Sequence, residues 1–262
     1  MIFVALTFHE VIGEREPSVA KGDEFYRVTE RELEQLLIEL RRRGYQSVSS
    51  REFRQWQAGA ASLPQRAVML TFDDGYASHF ERVAPLLRRY QFTGTFFVTV
   101  EHVGQPGYVT WDQVRKLAFL GMELGSHGLS HRPLTGLSPA ELDRELVESK
   151  RRLEQELGMP LQAIAAPGGF WNQAVADAVK RAGYEAAWVS TIGTNGRETH
   201  PLALRRVVVR SPVGVDYVVS LVEGWMPSFW WAANQQLLIR LLKRALGVYW
   251  YEQLKRRVVP NA

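Results

Sequence analysis

Within these 262 residues, the stretch that most limits the fold is Ala67-Val68-Met69-Leu70-Thr71-Phe72-Asp73-Asp74-Gly75. A short apolar run bounded by a turn signal reads as a buried strand. It ends on two adjacent carboxylates, which repel each other unless a cation or several donors hold them. Asp-Gly alone marks an ordinary turn. A second polar cluster, Ser126-His127-Gly128-Leu129-Ser130-His131, again follows an apolar run directly. One Asp with two His, each at a strand exit, is a donor set suited to a divalent metal.

Strand and helix patterns alternate along the whole chain. Strands are expected over residues 2–8, 45–48, 67–72, 93–98, 122–125, 163–166, 185–189 and 204–209. Capping boxes at Thr29–Glu32, Ser49–Glu52 and Ser138–Glu141 open helices between them, and further helices fit near 81–90, 111–120 and 172–183. A charged loop from Gly13 to Val28 is expected to lie across one face. Eight strand candidates with mostly helical crossovers imply an α/β protein built as a parallel (β/α) barrel. His9, the Asp73-Asp74 pair, His127 with His131, and Pro167-Gly168-Gly169 then all sit at C-terminal strand ends, the rim where such barrels build active sites.

Composition sets outer bounds only. At 46% hydrophobic and 23% charged the chain can bury a barrel-sized core. A net charge of +4 suits an anionic surface without demanding one, and nothing in the pattern calls for a nucleic acid partner. The absence of cysteine excludes disulfides and thiolate chemistry. No apolar run approaches a membrane span. Met1 to Phe8 lacks a basic leader and a cleavage site, so it reads as a first strand rather than a signal peptide.

Thr71-Phe72-Asp73-Asp74-Gly75, Ser126-His127 with His131, and Ala166-Pro167-Gly168-Gly169 together resemble the metal-dependent polysaccharide deacetylases of carbohydrate esterase family 4. Leu6-Thr7-Phe8-His9, Gly94-Thr95-Phe96-Phe97-Val98 and Thr110-Trp111-Asp112-Gln113-Val114 are similar to its poly-N-acetylglucosamine deacetylase branch. The resemblance covers about residues 1–210 and implies a distorted (β/α)7 barrel. It also implies roles: Asp74, His127 and His131 as ligands of one divalent ion, Zn²⁺ first with Co²⁺, Ni²⁺ or Fe²⁺ open. Asp73 would be the general base, and a backbone N–H near Gly168 or Gly169 would steady the oxyanion. His9 would be the general acid, in place of the late histidine that most members use; its bland alternative is a core histidine. The substrate implied is an N-acetylated polysaccharide, with a lipid-linked amino sugar, or a weakly active carbohydrate-binding homologue, as the alternatives.

Two departures stand out. Ala165-Ala166-Pro167 lacks the arginine that orients the base in most of the family, and Arg205 or Arg206 could supply that charge unless both are surface residues. No aspartate that would tune the acid is recognisable from Ser190 to Asn195. Trp171, beside the glycine turn, could serve as a sugar platform, whereas His79, His102 and His200 read as surface or loop residues. The barrel domain is expected over 1–212, with a helical, Trp-rich extension over 213–262 packed on it or at a membrane surface. The resemblance points to the cell envelope or outside; the missing leader leaves the cytoplasmic membrane face open.

Overall fold

A computed structural model describes residues 2–14, 26–211 and 214–224, together with Phe229 and Asn234. The chain opens with β1 (Ile2–Phe8), followed by β2 (Val11–Ile12) and β3 (Val28–Thr29). Then come α1 (Glu30–Arg42), β4 (Gln46–Ser47), α2 (Ser50–Gln57) and β5 (Ala67–Phe72). A π-helical turn over His79–Val83 leads into α3 (Ala84–Arg89), then β6 (Thr95–Val98), α4 (Trp111–Phe119) and β7 (Glu123–Ser126). The long α5 (Pro139–Leu157), β8 (Ala163–Ala165), α6 (Gln173–Arg181) and β9 (Ala186–Trp188) complete the alternation. β10 (Asn195–Gly196), β11 (Val207–Val208) and α7 (Val215–Val222) follow.

The helices begin where their capping chemistry dictates. Thr29, Ser49, Thr110 and Ser138 each accept the N3 backbone N–H, while the N3 Glu or Gln returns a bond to the cap. α5 stops at Gly158, whose left-handed backbone (φ 66°) is the usual helix terminator.

β1, β5, β6, β7, β8 and β9 pair in that order, all parallel. The sheet curls until the segment after residue 203 spans its two edges. Leu204 bridges Trp188 on one side, and β11 pairs with β1 on the other, Leu6 opposite Val207. This is the distorted barrel expected from the sequence. Two short ladders were not expected: β10 runs antiparallel to β1, and β2 pairs with β3 at the two ends of the loop assigned to one face. Residues 15–25 of that loop lie outside the described residues.

Strand periodicity divides the apolar residues into two cores. Val4, Leu6, Phe8, Val68, Leu70, Phe72, Phe96 and Val98 pack with the helices. Phe3, Ala5, Ala67, Met69, Phe97, Ala163, Ala165, Ala186, Trp188 and Leu204 form a separate interior cluster. The small residues make room there for Phe97 and Trp188. Gly125 is part of that fit, since a Cβ would stand 2.4 Å from Cδ1 of Phe97. From α2, Phe53 packs edge-on to Phe3 with centroids 5.3 Å apart, sealing the end where the strands begin.

α7 falls within the expected extension, yet Val218, Val219, Leu221 and Val222 are buried in the outer core, and Arg43 pairs with Glu223 at 2.6 Å. The tryptophans expected at 225–231 and the basic helix near 237–244 lie outside the described residues. Among the described residues no helix is long and apolar enough to cross a membrane. If α7 is integral to the barrel, Leu221→Ala lowers the unfolding free energy by about 2–5 kcal/mol, as a core truncation does. Denaturant titration checks this, and a loss below about 0.5 kcal/mol would mark α7 as peripheral.

Candidate active site

Counting inward-facing positions along each strand leads to the barrel mouth. Ala67, Met69 and Thr71 lead to Asp73; Phe3, Ala5 and Thr7 lead to His9; Gly125 leads to His127; and Leu204 leads to Arg206. Thr7 and Thr71 cap the apolar interior, their hydroxyl oxygens 3.0 Å apart, with Thr71 also donating to the Leu6 carbonyl. Above them the lining becomes ionisable.

Asp73 and Arg206 form the first pair. Nη1 of Arg206 donates to Oδ1 of Asp73 at 2.7 Å, and both side chains are about 3% exposed. Burial pushes the Asp73 carboxyl up, but the Arg206 guanidinium, with His127 and His9 nearby, more than offsets this and holds it below the usual carboxylate range. The guanidinium also lies 5.8 Å from the centre of the Phe97 ring. Its backbone is fixed from two sides: Arg206 donates to the Thr191 carbonyl, and the Asn195 amide both accepts from and donates to the Arg205 backbone. Arg206 therefore stands where the sequence left a choice between two arginines. Arg205 is exposed.

Asp74 reaches the same mouth by a backbone turn, not by strand parity. Its φ is 78°, a left-handed conformation that costs a non-glycine residue about 1–2 kcal/mol. His131 is also left-handed, at 63°. These turns bring Oδ1 of Asp74 to 3.2 Å from Nε2 of His127 and 3.1 Å from Nε2 of His131. His127 donates from Nδ1 to the Ala165 carbonyl at 2.9 Å, which leaves the Nε2 lone pair of the neutral ring aimed at the carboxylate. Oδ1 of Asp74 is buried and accepts no hydrogen bond of normal geometry. Burial raises the Asp74 carboxyl, yet with Nε2 protonated instead the two imidazoles donate to it and hold it well below its ordinary range, as a cation in their place would. A carboxylate oxygen and a nitrogen lone pair facing each other at this distance are an unstable arrangement without a cation between them. The three donor atoms lie within 4.8 Å of one another, and the set fits a divalent ion with nitrogen and oxygen ligands.

His9 comes to the same mouth, close enough for its charge to act on both Asp73 and Asp74. Its ring tilts over Tyr26 at 5.0 Å, and its Nδ1 is buried without a partner. Gly169 lies within the turn after β8, where a Cβ would collide with Ser190 Oγ at 1.7 Å. The N–H of Gly169 already donates to the Ala166 carbonyl, while Gly168 is exposed. Trp171 rests half-buried against the outer core.

One histidine corrects the sequence reading, and a second lies nearer the site than expected. His79 is buried, not on the surface, wedged against Phe72, Tyr76 and Phe96, because the π-helical turn rolls it inward. Its Nε2 donates to the His9 carbonyl at 2.9 Å. His102 is half-buried, its ring 4.4 Å from that of Tyr108 and 5.9 Å from that of His131; burial and the His131 charge push its pKa down. Glu145 went unnoticed as well. It lies on the buried stripe of α5 with Leu142, Leu146, Ser149 and Leu153, and a carboxylate in an apolar stripe is the signal that could have found it.

A metal-suited donor triad thus lies at the mouth of a parallel barrel, beside a carboxylate held by a buried arginine. Residues 60–187 match the polysaccharide deacetylase family, and the chain belongs to that family, whose members are metal-dependent hydrolases acting on N-acetyl amide bonds. It is 31% identical over 167 residues to the chitooligosaccharide deacetylase of a Bradyrhizobium strain, covering 62% of this chain and 73% of that protein. It is also 31% identical over 174 residues to the poly-β-1,6-N-acetyl-D-glucosamine N-deacetylase of Escherichia coli, where the match spans 58% of this chain but only 25% of that longer protein. Among solved structures, the Streptococcus pyogenes deacetylase PplD superposes with a TM-score of 0.76 at 22% identity, over 85% of this chain and 98% of that one.

Burial pushes the His79 imidazole from its ordinary 6.5 down to about 4, although the His9 carbonyl opposes the shift. Between those values the unfolded chain takes up a proton that the folded chain refuses. Stability is therefore complete above pH 6.5 and falls as pH drops towards 4, by up to about 3 kcal/mol from this one group. Chemical denaturation of wild type and His79→Gln at pH 7 and pH 4.5 checks this: the wild type loses more on acidification, and equal losses would acquit His79.

Proposed function

We propose that this protein hydrolyses the N-acetyl group of N-acetylglucosamine units in a polysaccharide of the poly-N-acetylglucosamine type. The observation that carries the reading is the pairing of two carboxylates with opposite duties at one barrel mouth. Asp74 faces two imidazoles, and Asp73 faces a guanidinium. The name of the Escherichia coli relative supports the substrate class.

In this proposal Asp74, His127 and His131 hold one divalent ion, Zn²⁺ first among the candidates. Such an ion supplies Lewis acidity, polarising the acetamide carbonyl and lowering the pKa of water. The remaining work belongs to the chain. Asp73, kept ionised by Arg206, takes a proton from the attacking water as that water's oxygen bonds to the acetyl carbon. Arg206 holds Oδ1, which fixes the carboxylate plane and directs the other oxygen towards the substrate. The lowered pKa makes Asp73 a weaker base but guarantees that it is unprotonated near neutral pH. His9 then gives a proton to the amide nitrogen as the carbon–nitrogen bond breaks, releasing acetate and a free amine. The His79 bond to the His9 carbonyl holds that donor in place. Of the oxyanion candidates, Gly169 already spends its N–H within the turn, which leaves Gly168 the better placed for that role.

Product analysis on a panel of N-acetylated glycans, with chelated and metal-restored protein, tests the reading; release of acetate that ignores chelation would refute it. Asp73→Asn keeps the metal and loses about 10²–10⁴-fold in turnover, whereas Asp74→Asn loses the metal itself. Equal metal loss in both variants would erase that division of labour. His9→Ala retains metal, loses turnover on an acetamide, and is far milder on an activated acetyl ester, whose leaving group needs no proton. Equal losses on the two substrates would show that His9 is not the acid.

A further inference from the structure

The loop from His127 to His131 cannot hold its shape by itself. It turns through two left-handed residues, Gly128 at φ 79° and His131 at 63°. The His127 N–H donates to the Val98 carbonyl of β6, but those of Gly128, Leu129 and Ser130 meet side-chain oxygens instead of strand carbonyls. The partner is α5. Oε2 of Glu145 accepts from the backbone N–H of Leu129 at 2.8 Å and of Ser130 at 3.0 Å, and Oε1 accepts from the Ser130 hydroxyl. One turn further along the same face, Ser149 Oγ accepts from Ser126 Oγ at 2.9 Å, and Ser126 Oγ accepts from the Gly128 N–H at 3.1 Å. Ser149 in turn donates to the Leu146 carbonyl at 3.1 Å and contacts the Tyr184 hydroxyl at 3.3 Å. The loop is thus gripped between its two histidines by Glu145 and at its entry by Ser126. Glu145 is only 4% exposed, so its charge is matched almost wholly by those three donors. A buried carboxylate that spends both oxygens on one five-residue loop does more than fill an apolar stripe.

We propose that Glu145 is the positioning residue that gives the His127–His131 loop its metal-binding geometry. The inference rests on the metal reading above. It predicts that Glu145→Gln, which swaps one acceptor oxygen for an NH₂ group that opposes the loop's N–H donors, weakens Zn²⁺ binding by about 10–100-fold, the range typical of groups that orient metal ligands. The measurement is a Zn²⁺ titration of the metal-free full chain, with Glu148→Gln as the control; Glu148 lies on the outer face of α5, paired with Arg151 and Arg152, and its variant keeps the wild-type Kd.

Melting of the metal-free proteins separates positioning from bulk stability. A merely structural Glu145 lowers the metal-free Tm and leaves the Kd unchanged, and that result overturns the proposal. Should Glu145→Gln not fold, Glu145→Asp keeps the charge and shortens the reach by one methylene; a wild-type Kd in that variant overturns it equally. Wild-type protein that binds no Zn²⁺ would remove the metal reading and this inference with it, whereas tight wild-type binding with an unaffected Glu145→Gln removes this inference alone.

Discussion

The ion pair between Asp73 and Arg206 ties the two ends of the barrel together. Asp73 leaves β5, one of the first strands of the ring, and Arg206 precedes β11, the segment that spans the gap between β9 and β1. Both groups are almost fully withdrawn from water. Taking one away strands the other as an uncompensated buried charge, a far larger penalty than the pair's own net contribution. The pair therefore constrains the ring's closure, the orientation of Asp73 and its ionisation at once. It also puts a positive charge beside Asp73 in a chain that has alanines at 165 and 166: the guanidinium comes from a segment later in the sequence, across the interior.

Much of this was legible in the strands because their period of two does not stop at the last hydrogen bond. Parity alone carries Ala67, Met69 and Thr71 on to Asp73, and Gly125 on to His127. The same count, started from Leu204, selects Arg206 over Arg205. Asp74 and His131 obey no such count. They reach the mouth through left-handed backbone turns, which strand periodicity does not encode; the residue types at two strand exits suggested one Asp with two His, and the resemblance chose Asp74 over Asp73 as the ligand. β10 was missed because a two-residue ladder carries no period. Its consequence is local but firm, since the buried Asn195 grips the backbone beside Arg206.

His79 and Glu145 show a different limit. Neither sits in a recognisable motif, and each earns its place through tertiary packing. The π-helical turn rotates His79 under the aromatic layer of Phe72 and Phe96, where its ring stays neutral and its N–H meets the carbonyl of His9, just past β1. Glu145 occupies a position where the stripe of α5 asks for an apolar residue, and only the loop that lands on it supplies the donors that make a carboxylate acceptable. Both cases are buried polar groups satisfied by residues distant in sequence, the kind of contact that no window along the chain contains.

The lateness of Arg206 in the chain bears on biosynthesis. A nascent polypeptide emerging from the N-terminus displays β1, β5 and the residues of the Asp-His-His set well before the residues that close the ring and neutralise Asp73. Until that last segment docks, Asp73 has no guanidinium to share its burial, and the interior cluster containing Phe97 and Trp188 lacks Leu204 on one side. The mouth thus receives its buried guanidinium late in synthesis, and a chain cut short before residue 206 would carry Asp73, Asp74, His127 and His131 without the cation that pairs with Asp73.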